Sequence, residues 1–454
     1  MKVESSITLI SSEYLKPFWQ HNQIYQKQTS RHLFGIYNYN YLINTEKLKN
    51  SLQMISNRNY NLRSNFIQED AELKQIIKND SEAKLAVYTV SSALERIALL
   101  QNLVAKPFNL SHENLYRAYL IKNNTNNQST LLVVFHHIIL DGAQFDSIMN
   151  ELVACYRGDS LPQPTDIQEL EDYLHVEKRN IDNANTDFWL KQLADYPLQI
   201  NFKNIDKKLP SSRQKTSIKA FRLNTNLTKS IITFTKENNI SMFNFLKIMW
   251  ATLIGRSCSQ EKLIIVHAVS TRTTAFSSLK GSYINVIPFS IDLNTSLNQQ
   301  ITKLNTSLID SKTHRFMPTQ KIIESLHQKN KGARLDGIFN VVIAQTDLRI
   351  NPPMFNAEDK NATASLTPNI GSALLLLEYQ IIDDSLQYHI NFLSPAFSDD
   401  YVDKLGEDFK NIILSGINNI DTTLMKLPLQ TCNDEALIPH QECIDFYQRA
   451  GSHW

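Results

Sequence analysis

His136 and His137 stand side by side, and Asp141-Gly142 follows them closely. The apolar run Leu131-Leu132-Val133-Val134 precedes the pair, and a helical pattern follows it. Imidazole changes charge near neutral pH, so a histidine at a rim can take or position a proton. The spacing predicts a strand from Leu131 to Ile139. Side chains alternate along a strand, so one imidazole would face a cavity while the other packs inward. Asp141-Gly142 reads as a turn, because glycine accepts backbone angles that other residues resist. A shared metal ion is not expected: adjacent strand histidines diverge, and no His-Glu-x-x-His or Cys-x-x-Cys accompanies them. A satisfied rim or core histidine is the competing reading, and the spacing alone leaves both open.

The pattern His136-His137-x-x-x-Asp141-Gly142 resembles the signature of the CoA-dependent acyltransferase superfamily, whose large branch is the condensation domain of nonribosomal peptide synthetases. Further segments extend the resemblance. Arg58-Asn59-Tyr60-Asn61-Leu62-Arg63-Ser64-Asn65-Phe66 resembles Arg-His-Glu-x-Leu-Arg-Thr-x-Phe, without its His and Glu. Asp187 to Leu193 resembles an aromatic-Trp-x-x-x-Leu segment, and Gly281 to Pro288 resembles Gly-x-Phe-Val-Asn-Thr-x-Pro. His314 to Pro318 keeps the His and Pro of His-Gln-Asp-x-Pro, and Ser12 to Trp19 matches more loosely.

The resemblance implies an α/β fold of two chloramphenicol-acetyltransferase-like lobes, a V-shaped pseudo-dimer with a tunnel between them. The expected parts are an N-terminal lobe, 1–165, a C-terminal lobe, 166–430, and a linker-like tail, 431–454. It also implies the site. His136, His137 and Gly142 form the catalytic motif. His137 would face the tunnel and position or deprotonate an amine, His136 would be structural, and Gly142 would leave room beside the reacting centre. Asp141 would form a structural ion pair, with Arg63 as its expected partner. Gln144 and Asn285 are tunnel or substrate candidates; for Asn285 a strand-end cap is the equal alternative. The expected reaction is amide formation between a carrier-bound acyl or aminoacyl thioester and an amine. Acyl or peptidyl carrier proteins would be the partners and would supply the phosphopantetheine arm, so the chain would bind no cofactor of its own. A free small-molecule amine is an alternative acceptor, and the chain is expected to be a monomer. Two alternatives stand beside this: an acyl-CoA-dependent O- or N-acyltransferase, and a non-catalytic docking domain.

Composition agrees with a folded, nearly neutral protein. The chain has 454 residues, 42% hydrophobic, with 46 basic and 45 acidic side chains. That length suits two domains of about 200 residues each. No global field recruits nucleic acid or membrane, although Lys207, Lys208, Arg213 and Lys215 form a local basic cluster. The four cysteines are scattered, no leader pattern is evident in Met1 to Ile10, and no apolar run suits a membrane span. The cytoplasm is the expected compartment.

The elements that must carry these residues follow from periodicity. Thr45 to Arg58 reads as a helix through Leu48, Leu52 and Ile55. After Asp141-Gly142, apolar spacing from Phe145 to Tyr156 predicts a helix that Gly158 ends. Leu161 to Thr165 is the linker candidate. In the second half a capped helix begins near Ser241, and another runs from about Ser398 to Leu414. Strands are expected at Leu263 to Val269, Ile284 to Ile291, Ile338 to Gln345, Leu374 to Ile381 and Leu386 to Phe392, with a loop from Asn351 to Pro368. The tail from Asn433 to Ala450 resembles a linker leading toward an adenylation domain, and a free-standing protein is the favoured expectation.

Overall fold

The computed structural model describes residues 6–24, 31–161, 163–164, 166–202, 215–306, 313–329, 341–345, 355, 363–365, 373–394 and 396–428. The first half runs β1 (Ser6–Ile10), α1 (Lys16–Ile24), β2 (His32–Tyr39), α2 (Thr45–Arg58), β3 (Ser64–Glu69), β4 (Glu72–Lys78), β5 (Leu85–Thr89), α3 (Ala93–Val104), β6 (Tyr116–Asn123), β7 (Gln128–His136) and α4 (Gly142–Arg157). The second half runs α5 (Ile167–Asn183), α6 (Thr186–Leu193), β8 (Lys215–Arg222), α7 (Thr225–Glu237), α8 (Met242–Cys258), β9 (Lys262–Ser270), β10 (Ile284–Asp292), α9 (Leu297–Thr306), α10 (Thr319–Lys329), β11 (Val341–Gln345), β12 (Thr363–Ser365), β13 (Leu375–Ile382), β14 (Ser385–Ser394) and α11 (Asp399–Asn418).

In the first half β7 lies inside a five-stranded sheet of order β12-β2-β7-β6-β5. Every residue of β7 except Gln128 is buried, which suits its continuous apolar run. Helices α2 and α4 pack on this core through Leu48, Leu52, Ile55, Phe145, Ile148 and Leu152. Both helices obey the expected end chemistry. Asn44 caps α2 by accepting from Lys47 N–H at 2.9 Å, and Asp141 caps α4 by accepting from Gln144 N–H at 3.1 Å. Gly158 closes α4 at φ 84°, a left-handed angle that glycine adopts without strain. A small three-stranded sheet, β1-β4-β3, adjoins this core.

The second half is built on a six-stranded sheet, β10-β9-β11-β13-β14-β8. Strand alternation divides its side chains between two covered faces. Leu263 and Ile265 meet the core of α7, α8 and α11. Ile264 and Val266 meet α6 and α10 through Trp189, Leu193, Ile322 and Leu326. Ser241 caps α8 as expected, and Ser398 caps α11. Among the described residues no helix is long and apolar enough to cross a membrane.

The two halves are not separate in chain order. Strand β12, from the second half, pairs antiparallel with β2 at the edge of the first sheet. Phe355 sits in the first core, 4.8 Å from the Tyr156 ring and 5.7 Å from the Tyr39 ring. A further cluster joins Tyr60 and Ile77 to Leu170, Tyr173, Leu279 and Tyr283.

One expected element ends differently. The strand predicted to reach Ile139 stops at His136, and residues 137–139 turn. Ile139 N–H donates to His136 O at 3.1 Å, and Ile138 N–H donates to the His136 ring at 3.1 Å. The histidine side chain therefore closes the turn, which apolar patterning does not encode. Of the linker candidate, residues 162 and 165 lie outside the described residues, as do Lys207, Lys208, Arg213, Cys432, Cys443, the tail and most of the 351–368 loop. Cys155 and Cys258 are buried, and among the described residues neither forms a disulfide.

Candidate active site

The turn after β7 separates the two histidines. His136 is 2% exposed. Its Nδ1 accepts the Ile138 N–H, which leaves the proton of the neutral ring on Nε2. Burial, with His32, His137, Arg31 and His21 nearby, pushes this imidazole well below its usual titration range. His32 faces it across the sheet, donates from Nδ1 to Val104 O at 3.1 Å, and is held neutral down to about pH 4 by burial. His136 is thus a neutral structural ring at neutral pH.

His137 is only half-buried. Its backbone N–H donates to Arg31 O at 2.8 Å, which ties the turn to the residue before β2. Asn61 Nδ2–H donates to Ile139 O at 2.9 Å and fixes the far side of the turn. The imidazole lies 4.9 Å from the Phe18 ring, and Ser282 Oγ is 3.4 Å from its Nδ1. Arg31 stacks over the same Phe18 ring at 5.1 Å. Where Nδ1–H donates to Ser282, the neutral ring presents Nε2 as its acceptor.

Asp141 is 1% exposed, and its partner is Arg272, not Arg63. Arg272 Nη1 meets Asp141 Oδ2 at 2.6 Å. Tyr283 N–H also donates to Oδ2, at 3.1 Å, while Oδ1 takes the Gln144 N–H. Arg272 places its remaining donors on Leu279 O and Gly281 O, both at 2.8 Å. Asp141 N–H adds a bond to Gly281 O at 3.2 Å. A buried carboxylate on the first half therefore holds the β9–β10 loop of the second half against the motif. Gly281 has φ 148°, and a Cβ there would meet the Tyr283 ring at 2.5 Å, so the close approach requires glycine. Arg63 instead clamps backbone carbonyls, Ser56 O at 3.2 Å, Asn79 O at 2.9 Å and Lys78 O. Its position at the end of a short turn leads it toward β4, away from Asp141.

Gly142 is the first residue of α4, and a Cβ there would meet nothing within 4 Å. The protein's own packing does not demand glycine here; the space beside it is open. Gln144 is half-buried one turn into the same helix. Asn285 is a staple. Its amide donates to Arg315 O at 2.9 Å and Met317 O at 2.7 Å, and Oδ1 accepts from Thr319 Oγ1 at 2.7 Å. Both amide hydrogens are taken, which favours its structural alternative over substrate contact.

The scattered motif segments meet here. Tyr60 hydrogen-bonds to Lys280 O and lies 3.0 Å from Tyr283 Oη. Tyr14 Oη–H donates to Phe316 O at 2.7 Å. His314 stacks on Phe188 at 4.2 Å, and Trp189 Nε1–H donates to His314 O at 3.1 Å. Lys280 pairs with Glu151 of α4 at 3.3 Å. Arg272, Ser282 and Phe18 were not singled out by sequence. Ser282 and Phe18 lie inside recognised segments and Arg272 lies outside them, and the contacts of all three are made across the fold.

Glu177 of α5 is a second buried carboxyl beside this junction. It accepts from Ser12 Oγ–H at 2.8 Å and Glu13 N–H at 2.9 Å. Burial outweighs these donors and pushes its pKa from 4.5 up to about 7. Between those pH values the folded carboxyl keeps a proton that the unfolded one has released. Its contribution to stability therefore falls as pH rises through this window, by on the order of 3 kcal/mol, and is flat above it. Buried histidines slope the other way, so the check is the difference in urea midpoint between wild type and Glu177→Gln. That difference should change between pH 5 and pH 8; a constant difference would refute the raised pKa.

Among the described residues no group of His, Cys, Asp and Glu is arranged to hold a metal ion. The Condensation domain family model matches residues 11–438. Surfactin synthase subunit 2 of Bacillus subtilis (strain 168) is 22% identical over 427 residues, covering 92% of this chain. Bacitracin synthase 1 of Bacillus licheniformis is 22% identical over 410 residues, covering 85% of it. The chain spans only 12% and 8% of those two relatives. The first condensation domain of the calcium-dependent antibiotic synthetase, solved with a substrate analogue, aligns with a TM-score of 0.72 at 13% identity, over 94% of this chain and 99% of that one. The X-domain solved in complex with OxyB from teicoplanin biosynthesis aligns with a TM-score of 0.74 at 18% identity, over 94% and 96%. At such identities the likeness establishes the fold, and it is the two-lobed α/β fold expected from the motifs.

Proposed function

The chain belongs to the condensation-domain family, and we propose that it joins a carrier-bound acyl or aminoacyl thioester to an amine, forming an amide in nonribosomal peptide assembly. The observation that carries this reading is the unequal treatment of the two motif histidines. His136 is sealed and neutral, while His137 is half-open, and open space lies beside Gly142 of the same motif.

In the reaction the amine nitrogen attacks the thioester carbonyl carbon. His137 Nε2 accepts a hydrogen bond from the amine and either takes its proton or holds it in line for transfer. The carbon–sulfur bond then breaks, and the thiolate leaves with a proton. The developing oxyanion needs donors. The first-turn N–H groups of Gly142 and Ala143, at the start of α4, suit that role, because helix N-termini carry unpaired donors. Asp141 and Arg272 hold the loop that brings Ser282 to His137.

Carrier proteins are the proposed partners, delivering substrate on a phosphopantetheine arm. Affinity is then spread over the carrier surface and the arm, and tethering raises the effective concentration at His137. With one amine, kcat/KM for the carrier-bound acyl group should exceed that for the same acyl group on CoA by on the order of 10² or more. Equal or better use of acyl-CoA would overturn this reading in favour of a CoA-dependent acyltransferase. The docking-module alternative rests on the fold shared with the X-domain. No turnover with any loaded carrier, from a protein that is folded, would favour it.

A further inference from the structure

A cavity of about 220 Å³ lies in the second half, and the motif histidines are not among its lining residues. Its floor is Lys247 of α8 and His267 of β9; Arg315 and Lys303 also line it. Phe289 and Trp189 form apolar walls. Among the described residues no aspartate or glutamate lines it.

Lys247 is the anomaly. It is 4% exposed on a helix whose neighbours Phe245, Leu246, Ile248 and Met249 are all fully buried and apolar. Among the described residues its amine has no ion pair or hydrogen bond. It lies 4.4 Å over the Phe289 ring and 5.4 Å over the Phe243 ring. Aromatic faces offset part of the cost of burying a cation, but they do not satisfy its donors. His267 is 8% exposed, and its Nδ1 is buried without a hydrogen-bond partner. The Arg315 Nε–H is likewise buried and unpaired. The Lys247 ammonium and the unpaired Arg315 N–H, gathered at one cavity beside an aromatic wall, suit an anion with an apolar body, and the unpaired His267 ring nitrogen adds a further polar site.

We propose that this cavity binds a small organic carboxylate with a flat apolar body, its carboxylate on Lys247 and its body against Phe289. The inference does not depend on the role given to His137. Burial lowers the Lys247 pKa from 10.5 to about 7, so the empty site need not carry a full charge at neutral pH. The titratable groups that line the cavity with Lys247 are His267 of β9, which burial and Lys247 keep neutral, Lys303 and Arg315. No carboxylate from α7, α11 or β11, the other elements packed on α8, shifts it. A bound carboxylate would draw a proton onto Lys247.

The test is calorimetric titration of the full chain with benzoate at pH 6, 7 and 8, with inorganic phosphate as a second probe. Benzoate should bind with one-to-one stoichiometry and take up protons. Its affinity should fall about tenfold from pH 6 to pH 8, as the amine loses its charge. Lys247→Met should weaken it by on the order of 10–100-fold, the range of a charge-assisted hydrogen bond. The same variant should leave amide formation intact. No saturable binding, pH-independent binding without proton uptake, or unchanged affinity in Lys247→Met would each overturn the proposal. Phosphate binding as tightly as benzoate would overturn the choice of an apolar-bodied carboxylate. The wild-type pH series decides the matter even where Lys247→Met fails to fold.

Discussion

His137→Ala should fold as the wild type does and lose amide formation by on the order of 10²–10⁴ in rate, the range associated with positioned acid–base groups. The ring is half-buried, and its removal leaves the turn intact. The turn is held by backbone bonds to Arg31 O and by Asn61. The measurement is single-turnover amide formation from a loaded carrier, with the melting curve recorded in parallel. Near wild-type turnover would remove His137 from the chemistry. His136→Ala is the informative contrast. That ring closes the turn through Ile138 N–H and packs near His32 and Phe108. Its loss should lower melting temperature first and activity only as a consequence.

The second large effect concerns the buried pair. Asp141→Ala and Arg272→Ala should each cost about 3–5 kcal/mol, because removing one member leaves the other charge buried and uncompensated. The double variant should cost clearly less than the two single costs added, since neither charge is then stranded. Arg63→Ala should not couple to Asp141, because its donors serve Ser56, Lys78 and Asn79 carbonyls. Denaturant unfolding of wild type, the three single variants and the two double variants that pair Asp141→Ala with Arg272→Ala or Arg63→Ala settles this. Unchanged stability of Asp141→Ala with lost activity would make the carboxylate a participant in the chemistry. Coupling to Arg63 in place of Arg272 would contradict the observed geometry.

What the chain reveals before folding follows the range of each interaction. Helix α2 and the body of α4 are local: the apolar spacing of each, and the terminal Gly158 of α4, lie within one short window, and their bounds match the structure. The meeting of the motif segments was legible as a set of similar segments, although their hydrogen bonds were not. The end of β7 was missed because a side chain closes the turn. The arginine partner was missed for a related reason. Arg63 sits in a recognised segment, whereas Arg272 reaches Asp141 only after β9 and β10 have paired and turned their loop toward α4. A single chain ranks neither arginine above the other. Lys247 was passed over because it lies within an apolar run, where its stem packs like its neighbours.

The edge strand β12 bears on how the molecule comes into being. Its partner β2 is translated early, and so are β5, β6 and β7. Yet β12 and Phe355 leave the ribosome long after α4 is complete. Until then the nascent first sheet presents β2 with unpaired backbone groups, beside the aromatic site between Tyr39 and Tyr156 that Phe355 later fills. Closing that edge joins residues far apart in the chain, so loop-closure entropy delays it. The ordinary vectorial scheme, in which an N-terminal domain finishes folding before the next is made, does not apply to this chain: its first sheet is completed by β12, which is synthesised only after β8, β9, β10 and β11 of the second sheet.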